Sequence, residues 1–374
     1  MADGVADGIV GPWLTEAVLH LGIYTDSTVF GGAESAISNF VARYPDDFAV
    51  TVMGPDDDLV RTIAAARPGT HYAVLPPIAD RTDLAAMMAT RRAFRRLEAD
   101  VIHFNASTMS SCQWAILAAI TIPGQRFVVM EHSPVATWSG LSKRLKKFTS
   151  ARAGAHVGVG HRAARLIEGL GDLPEGSIQV IHSGVPAMEL HPPPRSTDDF
   201  TIGMLARHDP AKGIDLAIRT VGRLGEGYRL VVVGDGPQRE ELEALVEELG
   251  LGAQVELRPF SSEARHLYPT FDVYLLPSRF EAFPVTVQEA MQAGLPVVAT
   301  DVGSIREAVD DGETGFVVGV GDIEAMAGAI RSLHDDPERR AAMGARAAEV
   351  GRVRFDVDEA VRQWVALYRA VASA

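Results

Sequence analysis

Two carboxylates eight residues apart, Glu281 and Glu289, bracket a segment that reads as loop, helix, turn and buried strand across residues 278–300, S-R-F-E-A-F-P-V-T-V-Q-E-A-M-Q-A-G-L-P-V-V-A-T. The fixed φ of Pro284 suits a first helical position, which places Glu281 in the loop above the helix N-terminus and Glu289 about a turn and a half inside it. A helix start offers backbone N–H groups and positive dipole potential to an anion or a hydroxyl-rich ligand. Earlier in the chain, Gly203-Met-Leu-Ala-Arg207-His-Asp-Pro-Ala-Lys212-Gly213 leaves one strand and enters a helix. Arg207, a planar fork, and Lys212, a compact point charge, can then reach one anion from a short loop. Two ordinary surface cations are the plainer reading. Against it, Lys212 is the only lysine outside residues 143–147 in a chain that otherwise writes its cations as arginine.

Three further positions have the right setting for ligand contact. Gly31-Gly32 follows the first apolar run and precedes a helical pattern, where backbone can approach a bound group with no Cβ in the way. His132 ends a buried strand at its rim, where imidazole can offer a donor and an acceptor to a hydroxyl; a structural histidine is the alternative. Gly234-Asp-Gly-Pro237 closes another strand and reads first as a turn. Asp56-Asp57-Asp58 contains a metal-like Asp-x-Asp, but it precedes a helix and helix capping is the expected use. No H-E-x-x-H, dinucleotide G-x-G-x-x-G, Walker loop or G-x-S-x-G elbow occurs, so the expectation is a metal-independent site without a resident cofactor.

These residues need a scaffold, and length sets its scale: 374 residues exceed one ordinary core, so two domains are expected. Apolar runs at 17–24, 48–53, 101–105, 127–131 and 156–159 alternate with helical patterns at 84–97, 109–121 and 143–153. Beyond a stiff, exposed linker at 191–197 the alternation restarts, with strands at 200–204, 228–233, 255–257, 273–276 and 316–318, and helices at 214–224, 238–249, 323–333, 339–350 and 357–372. Strands alternating with helices predict doubly wound parallel sheets. Cys112 is a lone cysteine in an apolar helical stretch, expected in the core, and excludes an internal disulfide.

The net charge of −14 argues against a nucleic-acid partner. The excess is C-terminal, with a balance of −2 over residues 1–185 and −12 over 186–374. No apolar window is long enough for a membrane span, and the first residues do not read as a signal peptide, so a cytoplasmic protein is expected. Residues 138–148 hold four cations at helical spacing. The expected packing stripe there is Leu141, Leu145 and Phe148, and the minority reading is a weak peripheral contact with the inner face of a membrane.

Taken together, Glu281-x7-Glu289 followed by A-M-Q-A-G-L-P-V-V-A-T-D-V-G-S-I-R-E, G-M-L-A-R-x4-K-G, the G-D-G-P turn and the early G-G-A-E resemble the retaining GT-B glycosyltransferases of family four. The resemblance runs from about Ala17 to the last helix. It implies two facing Rossmann-like domains: an N-terminal acceptor-binding domain, residues 1–185 completed by 356–374, and a C-terminal donor-binding domain, residues 186–355. It also implies that the last helix, with Trp364 and Tyr368, crosses back onto the first domain. Arg207 and Lys212 would hold the diphosphate of a UDP- or GDP-type nucleotide-sugar donor, Glu289 its ribose, and Glu281 the transferred sugar. Gly31 and Gly32 would approach the phosphates, His132 would line the sugar site, and Arg258-Pro259-Phe260 would read the base.

Two departures affect detail. Pro284 supplies no N–H, so donor contacts there would come from Phe283, Val285 or Thr286. Asn105 stands where the family commonly has histidine, which leaves its acceptor role open; Trp138 is the other acceptor candidate. By the resemblance the acceptor would be a hydroxyl of a small molecule, a glycan or a lipid-linked sugar. The rival functions are a nucleotide-sugar epimerase or hydrolase of the same fold, and a catalytically silent nucleotide-sugar-binding protein.

Overall fold

Strands of a parallel sheet covered by helices on both faces must be apolar almost throughout, and the chain supplies such runs in two sets. A computed structural model describes residues 18–135, 140–188, 199–261 and 263–374. The described residues divide into two compact units. One ends at Ser183 and is completed by Val357–Ala374, and the other is Gly184–Asp356.

The first unit contains β1 (Leu19–Tyr24), β2 (Phe48–Gly54), β3 (His71–Val74), β4 (Val101–Ala106), β5 (Arg126–Glu131), β6 (Ala155–Gly158) and β7 (Gln179–Val180). They form one parallel sheet in the order β3-β2-β1-β4-β5-β6-β7. The second unit contains β8 (Phe200–Leu205), β9 (Tyr228–Val233), β10 (Val255–Arg258), β11 (Val273–Leu276), β12 (Val297–Thr300) and β13 (Gly315–Val318), in the order β10-β9-β8-β11-β12-β13. Strand order reverses direction beside β1 and beside β8, and loops at the carboxyl ends of strands flanking such a switch are where open α/β sheets bind ligands.

Several expected elements appear with the expected bounds, among them helices Leu84–Leu97 and Ile214–Leu224 and strands β9 and β11. Asp56 caps the helix that follows it, its carboxylate accepting the Leu59 N–H at 2.9 Å. The last helix, Val357–Ser373, joins the first unit. Its Trp364 and Tyr368 are fully buried, and the Tyr368 hydroxyl lies 3.0 Å from the Tyr44 hydroxyl and 2.7 Å from His103 Nδ1.

Three expectations are corrected and one strand is added. β3 carries no apolar run to mark it, because it is an edge strand with His71 and Tyr72 exposed. Cys112 is buried, but it caps the helix Gln113–Ile120 with φ 62° instead of lying inside it. Pro284 is the cap residue of the helix Val285–Gln292, one position before the first helical residue.

The third correction concerns the basic segment, which forms the helix Gly140–Ser150 with a different face inward from the one expected. Lys146 and Thr149 are buried, whereas Phe148 is exposed and carries the Arg152 guanidinium over its ring at 3.6 Å. The reason is Glu131 at the end of β5, a fully buried carboxylate that binds the Lys146 ammonium. The expected leader, the 191–197 linker, Trp138 and the Leu141 side chain lie outside the described residues.

Candidate active site

In the second unit the site grows from β8 and β11, neighbours in one sheet whose carboxyl ends release the 206–213 and 277–284 loops. Gly213 lets the two loops touch. Its φ of 64° is left-handed, and a Cβ there would stand 2.1 Å from the Pro277 carbonyl oxygen. Arg279 straps them further, donating its N–H to the Ala211 carbonyl at 2.7 Å and a bidentate guanidinium pair to Asp215 at 2.7 Å each.

That strapping delivers Lys212 to Glu281. The Lys212 Nζ donates to Glu281 Oε1 at 2.8 Å, and the Ser278 hydroxyl donates to the same oxygen at 2.8 Å. Glu281 is buried and Lys212 partly exposed, so the ammonium stands on the solvent side of the pair. Arg207, on the same loop, is more exposed and lies 3.3 Å from Asp209. The two expected phosphate ligands therefore rest on separate carboxylates. Gly303, with φ 50°, backs the Glu281 loop: a Cβ there would fall 2.2 Å from the Glu281 carbonyl oxygen, and the next residue's N–H donates to the Ala282 carbonyl at 2.8 Å.

One turn into the helix Val285–Gln292, Glu289 is buried between Arg265, 2.9 Å from Oε1, and Tyr268, whose hydroxyl donates to Oε2 at 2.9 Å. Burial raises its pKa, while the Arg265 charge and the Tyr268 bond pull the other way. The first-turn N–H groups at 285–287 have no intrahelical acceptor, as at any helix start.

Farther along the same sheet edge, Arg258 is committed to Glu256, at 2.7 and 3.0 Å. Phe260 is strongly exposed, and its N–H donates to Asp235 at 2.8 Å. The glycines of the G-D-G-P turn serve packing: Cβ atoms at Gly234 and Gly236 would meet the carbonyl oxygens of Ala206 and His208 at 2.1 and 2.4 Å.

In the first unit, Gly31 and Gly32 cap and open the helix Gly32–Val41, and the Glu34 carboxylate reaches back to the Gly31 N–H at 3.1 Å. A Cβ on Gly32 would meet nothing within 4 Å, so protein packing does not require glycine there. At the ends of β4 and β5, Asn105 Oδ1 lies 2.8 Å from His132 Nε2. An amide oxygen only accepts, so His132 carries its proton on Nε2 and presents Nδ1 as an acceptor. Asn105 Nδ2 in turn donates to the Ala33 carbonyl at 3.4 Å. The glycine helix, Asn105 and His132 thus meet at one sheet edge.

Burial holds the His132 pKa down at about 4 despite the opposing Glu131 charge, and holds His103 at about 3. Both folded values lie below the unfolded value of about 6.5. The stability these neutral rings contribute is therefore fully present above that pH and is lost as pH falls toward 4 and then 3. Urea midpoints measured between pH 7 and pH 4 should decline with falling pH, and H103F should flatten part of that slope.

Sequence reasoning missed Ser278, Arg265, Tyr268 and Gly303. The first is a single hydroxyl inside the motif, and the next two lie in a short 3-10 segment, Ala264–Thr270, with no recognisable pattern. Gly303 carried a usable signal, since a lone glycine directly after a buried strand marks a turn or a close approach.

Residues 30–188 match the family model "Glycosyltransferase Family 4", and residues 189–350 match "Glycosyl transferases group 1". Among curated relatives, the α-D-kanosaminyltransferase of Streptomyces kanamyceticus is 32% identical over 167 residues, 43% of either chain. The D-inositol 3-phosphate glycosyltransferase of Mycobacterium avium is 31% identical over 209 residues, 51% of this chain and 49% of that one. The chain thus spans about half or less of the length of these relatives. Among solved structures, Anabaena HepE in complex with UDP superposes with a TM-score of 0.82 at 20% identity, over 94% of this chain and all of that one. Sucrose-phosphate synthase of Thermosynechococcus elongatus gives 0.76 at 19% identity, over 94% and 98%. At these identities the likeness is one of fold.

Proposed function

Since the chain belongs to the glycosyltransferases that join a family 4 region to a group 1 region, we propose that it moves a sugar from a nucleoside-diphosphate donor to a hydroxyl acceptor, with retention at the anomeric carbon and without a metal. The observation that carries the reading is the Lys212–Glu281 pair held by strapped loops above the start of the helix that bears Glu289. The cation and the helix start suit the diphosphate of one extended donor, with Glu281 on its sugar side and Glu289 on its ribose side. UDP and GDP donors are the first to test, and UDP leads because HepE, which shares the fold, is described with UDP and with UDP-glucose.

In the reaction, the bond between the anomeric carbon and the β-phosphate oxygen breaks, and its electron pair stays on phosphate. Lys212, Arg207 and the helix-start N–H groups offset the charge that builds there. The acceptor oxygen attacks the anomeric carbon from the face the phosphate leaves, and its proton passes to the departing phosphate oxygen. Glu281 then orients the sugar, and Asn105 and His132 contact the sugar or the acceptor. The exposed Phe260 and the backbone of 258–260 face the base.

Gly32 offers a clean check. Gly32→Ala should leave the melting temperature unchanged or slightly raised, because glycine is the poorer helix former by up to about 1 kcal/mol, and should weaken donor use at least tenfold. Unchanged kinetics would remove Gly32 from the phosphate approach.

The decisive assay combines UDP- and GDP-sugars with an acceptor panel and reads the anomeric configuration of the product by NMR. Product of inverted configuration overturns retention, and sugar release or epimerisation without acceptor overturns transfer. A cytoplasmic location and a peripheral membrane contact through 138–148 remain part of the proposal. The contact now rests on Lys143, Arg144 and Lys147, because Lys146 is buried. Among the described residues no helix is long and apolar enough to cross a membrane.

A further inference from the structure

The carboxylate of Glu289 is held by two residues outside the motif, and the way it is held has a chemical consequence. Tyr268 is completely buried, and its ring is enclosed by Phe271 and Tyr274, with centroids at 6.2 and 5.7 Å. Its hydroxyl lies 2.9 Å from Glu289 Oε2 and 3.1 Å from the Thr286 carbonyl, one turn earlier in the same helix. Arg265 Nε forms an ion pair with the other oxygen, Oε1, at 2.9 Å without the alignment of a hydrogen bond, and its Nη2 donates to the Pro186 carbonyl at 3.2 Å. Both partners are thus fixed by contacts besides the one they make to Glu289.

An ionised carboxylate offers about four acceptor sites, two on each oxygen. One partner on each oxygen leaves both oxygens with acceptor capacity, side by side in one plane. That arrangement matches two adjacent hydroxyls donating together, as the 2′- and 3′-hydroxyls of a ribose do. Without Tyr268 and Arg265, the carboxylate could rotate about its last bond and serve a single hydroxyl equally well.

We infer that Tyr268 and Arg265 are positioning residues that lock Glu289 as a two-pronged acceptor, so that the site demands an intact ribose diol and rejects 2′-deoxy and 3′-deoxy nucleotides. The inference rests on the donor reading above, in which Glu289 meets the ribose. A site built to bond a hydroxyl rejects the analogue that lacks it because its own buried polar group is then left unpaired.

Calorimetry on the full chain tests it with UDP and GDP, taking whichever binds, and with the 2′-deoxy and 3′-deoxy forms of that nucleotide. The unaltered protein should bind the ribonucleotide at least tenfold more tightly than either deoxy form. Tyr268→Phe keeps the ring and removes the donor, and Arg265→Gln removes the charge at a partly exposed position. Each should cut that discrimination severalfold or more, chiefly by weakening the ribonucleotide. Discrimination preserved in both variants overturns the inference and leaves the donor reading standing. An equal loss for all three nucleotides also overturns it, because it marks a purely structural role. No binding of either ribonucleotide by the unaltered protein overturns the donor reading and this inference with it.

Discussion

Lys212→Ala lowers kcat by about a hundredfold or more, the scale of removing one preorganised charge stabiliser from a transition state, while the protein stays folded. The side chain is partly exposed, so solvent can take the place of the ammonium beside the buried Glu281, and the stability cost stays below that of stranding a charge in a closed core, about 3–5 kcal/mol. Glu281 keeps its Ser278 bond when the ammonium is gone. The loss therefore appears in turnover and not in the melting curve. Arg207→Ala should act in the same direction, because Arg207 leaves the same loop and pairs with a partly exposed Asp209. Steady-state kinetics alongside circular dichroism separates the outcomes. Near-normal turnover in both variants would show that neither cation meets the departing phosphate.

The second large effect concerns stability. Glu131 is fully buried with the Lys146 ammonium on one oxygen and His156 Nε2 3.1 Å from the other. Burial alone would raise the Glu131 pKa, but Lys146 and His156 outweigh it and hold the carboxyl at about 2. Removing one partner strands a charge in the core, which typically costs about 3–5 kcal/mol. Lys146→Met should therefore lower the denaturation midpoint of the first unit steeply. The double variant E131L/K146M should recover much of the loss, since a well-packed apolar pair replaces a buried ion pair at little or no cost. A single variant within about 1 kcal/mol of the unaltered protein would rule this out. The pH dependence has a definite sign: the folded pKa lies below the unfolded carboxyl value of about 4.3, so the contribution is complete above that value and is lost as pH falls toward 2.

The two cases differ in how far they can be read in advance. The cations at 207 and 212 and the carboxylates at 281 and 289 stand out because glycines, prolines and apolar strands punctuate their loops at short range, and each strand end locates its own loop. The inward turn of Lys146 has no such local signature. The spacing of Lys143, Arg144, Lys146 and Lys147 is that of any solvated helix, and only Glu131, fifteen residues earlier on a neighbouring strand, turns one of the four inward. Tyr268 and Arg265 are hidden for the same reason, because their partner lies more than twenty residues ahead and the 3-10 segment that holds them has no period to follow. β3 escapes notice because an edge strand can keep its side chains wet. Patterning shows which face an element buries when apolar residues do the burying; a buried charge is visible only through its partner.

The helix Val357–Ser373 has a bearing on how the molecule is made. Phe40, Tyr44 and His103 all lie within the first unit's first four strands and their connections, yet the aromatic surface they pack against, Trp364 and Tyr368, emerges from the ribosome some 260 residues later than His103. Domains generally fold as units during synthesis, so the second unit, which is continuous in sequence, can close its core while the first still waits for its final helix. The half of the molecule that is translated first is therefore the half that is finished last.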